Sequence, residues 1–376
     1  MKKVLGHTVW IAALALVGVV TAGFQADYLS RYRFGLADDI PDAFRYMSLE
    51  VSGYQAMQDQ GAAAAMPIAR ELVRRRPVPS ESLSLLGVAA SARQDEALAS
   101  EALVMAAGRG WRDRVAQLSM VMFAQSAEAH QVAAERVAAL WGAGDASDAV
   151  YAATQAVLAE DGSREALAAI LGSNPLWRGD FVNWAAGAVE PSLYLDLLHR
   201  ARAHGARFDC RNIQGAAVRL LRGGSAEAAE KLWYGSCGAD GESTSFAFSR
   251  PVGAAKRESP FGWSYPSDGG IDRQFVDEGR SVAIRYENGE NMSLPLASRF
   301  SALKPGPHDV SARFTGEAPA IRIACNNPGN GAGLIIRLQL SESPARFVIP
   351  AGTCPAQAVD ILVPSGSGTV SSIVVE

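Results

Sequence analysis

The sequence has little excess charge: 35 Lys and Arg stand against 39 Asp and Glu, a formal net charge of -4. Without a basic field to gather phosphate, nucleic acid is not expected as a partner. Cysteine is sparse, at four, and histidine at five; no C-x-x-C occurs and no histidine lies within five residues of a cysteine. The usual zinc-ligand spacings are therefore missing, and no metal is expected. The string Gly329-x-Gly331-x-Gly333 has glycines but no following Lys-Ser/Thr, and it leads into a strand-like segment, so it reads as a turn rather than a phosphate loop. Asp268, Asp272, Asp277 and Glu278 are close in sequence but fall in a polar stretch read as a water-facing loop. His130, His199 and His204 lie on expected helices with no Ser or Cys partner at useful spacing, and His308 sits in a turn. No enzymatic activity and no cofactor are expected.

What is present begins at the N-terminus. Val4 to Phe24 carries no formal charge and is preceded by Lys2 and Lys3. At about 1.5 Å per helical residue these positions cover roughly 30 Å, the hydrocarbon thickness of a bilayer. The lysines would stay cytoplasmic and everything after Asp27 would be exported, which predicts a single-pass inner-membrane protein with its bulk periplasmic. Val20-Thr21-Ala22 also satisfies a small-residue cleavage rule, which leaves a removed signal peptide as the alternative. The cysteines divide as Cys210 with Cys237 and Cys325 with Cys354; two local disulfides fit an oxidising compartment, and four buried thiols are the alternative.

A whole-chain hydrophobic content of 48% supplies material for buried cores and excludes a disordered chain. Near residue 240 the pattern changes. Upstream, apolar residues recur three and four apart; downstream come short alternating segments such as Val282-Ile284-Tyr286 between Gly and Pro. The expected organisation is an anchor over 1–27, a helical domain over 38–240 and an antiparallel β-sandwich over 243–376.

Within the helical part, Gly53, Ala65, Ala69, Leu72 and Pro77 recur as Gly87, Ala99, Leu103 and Ala106, then as Val121, Ala133, Val137 and Leu140, a period of 34 residues. This spacing resembles the tetratricopeptide repeat and implies stacked helical hairpins, an α-α solenoid that binds protein partners. After Ser147 the period fades, but helices are expected over 148–158, 164–171, 177–188, 191–204, 212–221 and 226–234. Asn174-Pro175 is expected to start one of them, with Trp177 and Phe181 sharing a face as core. Arg74-Arg75-Arg76 closes a helix and suits the negative end of its dipole. The string Asn174–Phe181 together with Pro260-Phe261-Gly262-Trp263 resembles uncharacterised exported proteobacterial proteins with helical repeats and a C-terminal β domain. That resemblance implies no particular activity.

Strands are expected around Phe246–Phe248, Val282–Tyr286, Asn291–Leu294, Asp309–Phe314, Ile321–Cys325, Leu334–Leu340, Arg346–Ile349, Val359–Val363 and Ser371–Val375. The string Leu303-Lys304-Pro305-Gly306-Pro307-His308-Asp309-Val310 resembles the turn and outgoing strand of jelly-roll carbohydrate-binding modules, and this implies a jelly roll with a possible glycan ligand. Sugar recognition needs an exposed aromatic plane and planar polar groups. Trp263, Tyr265 and Tyr286 are the stacking candidates, with Asp268, Asp272, Arg273, Asn326 and Asn327 for the hydroxyls; all but Tyr286 are expected in loops. Asp268 and Asp272 are also the pair that would hold a structural calcium ion. The expected function is a membrane-anchored periplasmic scaffold that binds an envelope protein through its repeats and glycan through its sandwich, in cell-surface polysaccharide assembly or export. The alternative is a purely protein-binding scaffold.

Overall fold

The computed structural model describes residues 2–238, 244–251, 259–266, 270–279, 281–325, 335–352 and 354–376, with side chains from residue 9 onward. Among these, thirteen α-helices precede nine strands. The chain divides into two compact units, Met1–Leu167 and Ala168–Glu376.

The first unit opens with α1 (Lys2–Ser30). From Val9 to Ser30 it has a mean hydropathy of 1.9, long and apolar enough to cross a membrane. Val9, Trp10, Ile11, Leu14, Leu16, Val17 and Val19 are each more than half exposed, so no protein surface claims them. The last turns of α1 behave differently. Gly23 lies under the Phe44 ring, where a Cβ would come within 2.7 Å of ring carbons. Asp27, 3% exposed, accepts hydrogen bonds from the amides of Tyr46 (3.1 Å), Met47 (2.8 Å) and Ser48 (2.9 Å) and from the Ser48 hydroxyl (2.7 Å). These amides open α2 (Ser48–Asp59), whose first N–H groups have no partner within the helix. A side chain of α1 is thus the cap of α2.

The array continues with α3 (Ala62–Arg75), α4 (Ser80–Ser91), α5 (Glu96–Arg109), α6 (Arg114–Ser126), α7 (His130–Gly142) and α8 (Asp148–Ala159), with α9 (Asp161–Gly172) spanning the unit boundary. Consecutive helices from α2 to α8 pack on one another. The second helices of the first three pairs begin at Ala62, Glu96 and His130, the 34-residue step read from sequence. Every recurring position except Pro77 is buried. The small residues are needed for close approach: a Cβ on Gly53 would fall 2.3 Å from Leu85, and one on Gly87 2.5 Å from Leu103. Gln94 and Glu128, also one period apart, take left-handed φ of 63° and 53° where α4 and α6 end. The next amides, of Asp95 and Ala129, bond back to the carbonyls of Ala90 and Ala124. Asp113 then joins two hairpins by capping α6 through the Ala116 amide (3.1 Å) while accepting from Ser84 of α4 (2.7 Å). The triple arginine is engaged internally: Glu71 takes Arg74 (2.6 Å) and Arg75 (2.5 Å), and Glu50 takes Arg76 (3.4 Å).

The second unit contains α10 (Arg178–Ala188), α11 (Pro191–Ala203), α12 (Cys210–Arg222), α13 (Ala226–Tyr234) and the sandwich. Asn174 does not start α10. It sits at φ 58°, its amide donates to the Gly172 carbonyl, and its Oδ1 accepts from the Arg207 amide (2.9 Å), which ties two turns together. Phe181 is fully buried between Trp177 (5.7 Å) and Trp184 (6.0 Å).

The strands are β1 (Ile271–Glu278), β2 (Ser281–Asn288), β3 (Leu294–Ser301), β4 (Gly306–Thr315), β5 (Ala320–Cys325), β6 (Ile335–Gln339), β7 (Ala345–Ile349), β8 (Gln357–Val363) and β9 (Gly366–Val375). They form an antiparallel five-stranded sheet, β1-β2-β9-β4-β7, facing a four-stranded one, β3-β8-β5-β6, the strand order of a jelly roll with β1 added at an edge. Ile284, Val310, Ile321, Ile361, Val363 and Val370 fill the core between them. Three sequence expectations are corrected. Phe246–Phe248 is buried but forms no strand; Asn291–Met292 is a turn before β3; and the supposed polar loop around Asp272–Glu278 is strand β1. An edge strand exposed on one face carries alternate polar residues, so its composition imitates a loop. The Gly329–Gly333 string lies outside the described residues.

Cys210–Cys237 joins the start of α12 to the end of the helical region, and Cys325–Cys354 joins the end of β5 to the turn before β8, with sequence separations of 27 and 29.

Two outcomes are expected. Asp27→Ala leaves three backbone donors without their acceptor, a cost of about 2 kcal/mol or more. Hydrogen exchange of the Tyr46, Met47 and Ser48 amides should lose protection, and unchanged exchange would contradict the cap. Replacing Cys325 and Cys354 by serine should lower stability by about 2–4 kcal/mol, read from urea unfolding of the full chain followed by the fluorescence of Trp263.

Candidate functional site

Among the described residues, the sandwich side chains picked from sequence do not converge on one surface. Trp263 is 2% exposed; its indole N–H donates to the Phe246 carbonyl (3.1 Å), and its ring packs against Phe248 (5.3 Å) and the Arg299 guanidinium (5.4 Å). Tyr286 points inward from β2 at 3% exposure, and burial raises its phenol above the ordinary value, with Glu317 adding to the shift. Both rings are committed to the core, so neither offers a face for stacking a pyranose. Tyr265 is half-buried, edge-on to Phe275 (4.8 Å), and donates to the Ser249 carbonyl (2.5 Å). Arg273 donates to the Leu296 and Pro295 carbonyls (2.9 Å each), which latches β1 of one sheet to β3 of the other. Asp272 is exposed on β1. Asp268, Asn326 and Asn327 lie outside the described residues. Asp277 pairs with Arg250 (2.9 Å) and Glu278 with Arg313 (3.4 Å), so these acids hold the edge strand to its surroundings. One outward row of the five-stranded sheet runs Gln274, Arg285, Thr369, Thr315, without an aromatic.

Two concavities are better formed. In the second unit, an open groove of about 740 Å³ runs between the N-terminal ends of α11 and α13 and the turns at Ala302–Pro305 and Pro350–Pro355. Prolines 191, 305, 350 and 355 stiffen its walls. Two of its acids are already committed. Glu190 caps α11 through the Ser192 and Leu193 amides (3.0 and 3.1 Å), and its carboxyl is lowered by the Ser192 hydroxyl and these amides; Glu227 is lowered by its bond with Lys231 (2.6 Å).

In the first unit, a cleft of about 670 Å³ opens beside α2, lined by Arg31, Glu50, Tyr54, Gln58, Arg112 and Asp145 among others. Charges of both signs alternate along it. Arg31 meets Glu50 at 3.2 Å and Arg114 meets Asp145 at 3.8 Å, whereas Arg112 is exposed. The Tyr54 hydroxyl is raised far above its ordinary value, first by burial and then by the carboxylates of Asp113, Glu50 and Glu81, with Arg114 acting in the opposite direction. It therefore remains a hydrogen-bond donor at every physiological pH. A half-buried donor among mixed charges suits a polar peptide segment, and no activated nucleophile is placed there. This cleft was not legible in sequence, because its residues come from turns and helix starts about 30 positions apart.

No protein-family model matches the chain, and no curated protein matches it. Among solved structures, a glycosylation-associated protein complex from Streptococcus agalactiae is similar over 35% of this chain and 44% of its own, at 14% identity and a TM-score of 0.27. The chain thus spans less than half the length of that structure. Accessory secretory proteins 1, 2 and 3 of Streptococcus pneumoniae are similar over 28% of this chain and 84% of theirs, at 14% identity and a TM-score of 0.22. A carbohydrate-binding module solved with β-1,4-galactotriose is similar over 30% and 87%, at 11% identity and a TM-score of 0.21. At these scores the likenesses bear on neither ligand nor activity.

The cleft yields a pH test. Unfolding releases Tyr54 to ionise near pH 10, while the folded state holds its proton more tightly. Its contribution to stability is complete below about pH 10 and drains as the pH rises beyond that value. Tyr54→Phe should therefore lose less thermal stability than the parent between about pH 10 and 11.5. Equal losses in the two proteins would show a solvated hydroxyl.

Proposed function

We propose that the chain is an anchored scaffold of the cell envelope. Residues 4–24 cross the inner membrane once, the bulk lies on the periplasmic side, the repeat module over 38–240 holds an envelope protein, and the sandwich over 243–376 presents a further docking surface. The observation that carries this reading is α1: its apolar side chains are exposed along most of its length, yet its last turns are capped into the helical array by Asp27. An apolar helix left unburied by its own protein is satisfied by lipid. The two disulfides support an oxidising compartment, since such bonds persist outside the cytosol.

The protein-binding part of the reading rests on the mixed-charge cleft beside α2, where an extended polar segment finds donors and acceptors of both signs. The work expected of such a scaffold is the assembly or export of cell-surface polysaccharide, without a catalytic step of its own. Glycan binding by the sandwich is the finer part of the proposal. With Trp263 and Tyr286 in the core, it falls to Tyr265 and Asp272, and to Asp268, Asn326 and Asn327, which lie outside the described residues.

An alkaline phosphatase reporter fused after Glu376 should be active, and the cysteines should resist maleimide until reduced. A silent reporter with freely labelled thiols would remove the envelope reading, and extraction by alkaline carbonate would show that the anchor is cut. Calorimetric titration of the full chain with bacterial exopolysaccharide at millimolar saccharide tests the glycan part; heat supports it, and its absence leaves the protein scaffold alone.

A further inference from the structure

The end of α1 has two faces with opposite fates. Ala26 is half-buried, and Gly23, Asp27 and Ser30 turn toward the protein: Gly23 is packed under Phe44, and Asp27 and Ser30 are at most 3% exposed. Tyr28 and Leu29 turn away and are 44% and 37% exposed, and Phe24, edge-on to Phe44 at 5.4 Å, remains 47% exposed. The chain then adds Tyr32 and Phe34, at 70% and 62%. Tyr46 joins from the segment before α2, its ring 5.8 Å from Phe24. Tyr28 and Tyr32 stack edge-on at 5.8 Å with their hydroxyls 3.4 Å apart. Six large aromatic or aliphatic side chains thus surround the exit of an unburied apolar helix, and three of them carry a phenol.

Resting on the reading of α1 as an anchor, we infer that this collar is an interfacial seat: it lies in the phospholipid headgroup layer and fixes how the helical array stands on the bilayer. A hydrocarbon core of about 30 Å is used up by residues 4–24. Tyr28, four residues on, then lies about 6 Å further, within the interfacial layer where an aromatic body with a polar tip is favoured on both counts. The occupant is a zwitterionic lipid surface rather than an anionic one, because the local positive charge is already engaged. Arg31 meets Glu50 at 3.2 Å, and Arg45 meets Asp42 at 3.7 Å and Asp38 at 4.0 Å, which leaves Arg33 to balance the exposed acids. The coupling is stiff, since Asp27 holds the start of α2 from the same helical turn as Tyr28, about 100° round the helix.

The test is nitroxide labelling of the full chain in phosphatidylcholine vesicles, one introduced cysteine at a time: Leu16→Cys for the anchor, Tyr32→Cys and Phe34→Cys for the collar, and Gln94→Cys as an aqueous control. Accessibility is read with oxygen against a water-soluble nickel complex. The collar labels should show an oxygen-to-nickel ratio several-fold above that of the Gln94 label, below that of the Leu16 label, and unchanged when salt is raised. Collar labels matching the aqueous control while the Leu16 label stays in lipid would overturn the seat and leave the anchor. Collar labels shielded from both reagents would place them against protein and also overturn it. A Leu16 label in water would remove the anchor and the seat together.

Discussion

The structure depends first on one carboxylate. Asp27 is a buried charge near the end of α1 and accepts from three consecutive amides at the entry to α2. Burying a charge is costly unless it is fully bonded, and here four donors converge on it. The first helix and the array cannot separate without exposing both the acid and the amides to an unfavourable setting. Gly23 under Phe44 adds shape to the same joint, because only the smallest residue lets the ring lie against the helix. The second hairpin is then laid on the first through Leu85 over Gly53, and is itself closed by Leu103 over Gly87.

In the second unit the organising constraint is the closure of a small sandwich. Its strands supply the flat faces, but the edges need large side chains, and Phe246, Phe248 and Trp263 are drawn in for that purpose. Arginines complete the closure. Arg299 lies over the rings of Phe246 and Trp263 at 4.5 and 5.4 Å, and Arg273 staples the edge strand to the opposite sheet. Residue types that would serve sugar recognition on a surface are therefore spent on stability. The same economy explains the silent charges: the triple arginine, Asp277, Glu278 and Glu227 all have partners nearby.

Much of this architecture was legible in the sequence, for identifiable reasons. Helical periodicity records burial directly, so the expected segments 148–158, 191–204 and 226–234 match α8, α11 and α13 to within a residue at either end. The 34-residue step was readable because the positions buried where helices cross recur as apolar or small residues. The strands from β4 to β9 alternate or run apolar, and their positions were found. Strand β1 was not, because its exposed face is polar and its composition resembles a loop. Asn174 was misplaced because its side chain has two good uses, capping a helix or bracing a turn, and only the neighbouring Arg207 amide selects the second.

What the amino-acid order determined by itself is pattern along the chain: the apolar helix, the paired-helix period, the change to alternating strands, and the division of cysteines, each of which is written in residue types and their spacing. What only the tertiary structure decided is which side chains are spent and which are free. Trp263 and Tyr286 became core, Asp27 became a cap, and Tyr28, Tyr32 and Phe34 stayed outside, because burial depends on contacts between residues 17 or more apart, and no local pattern encodes those.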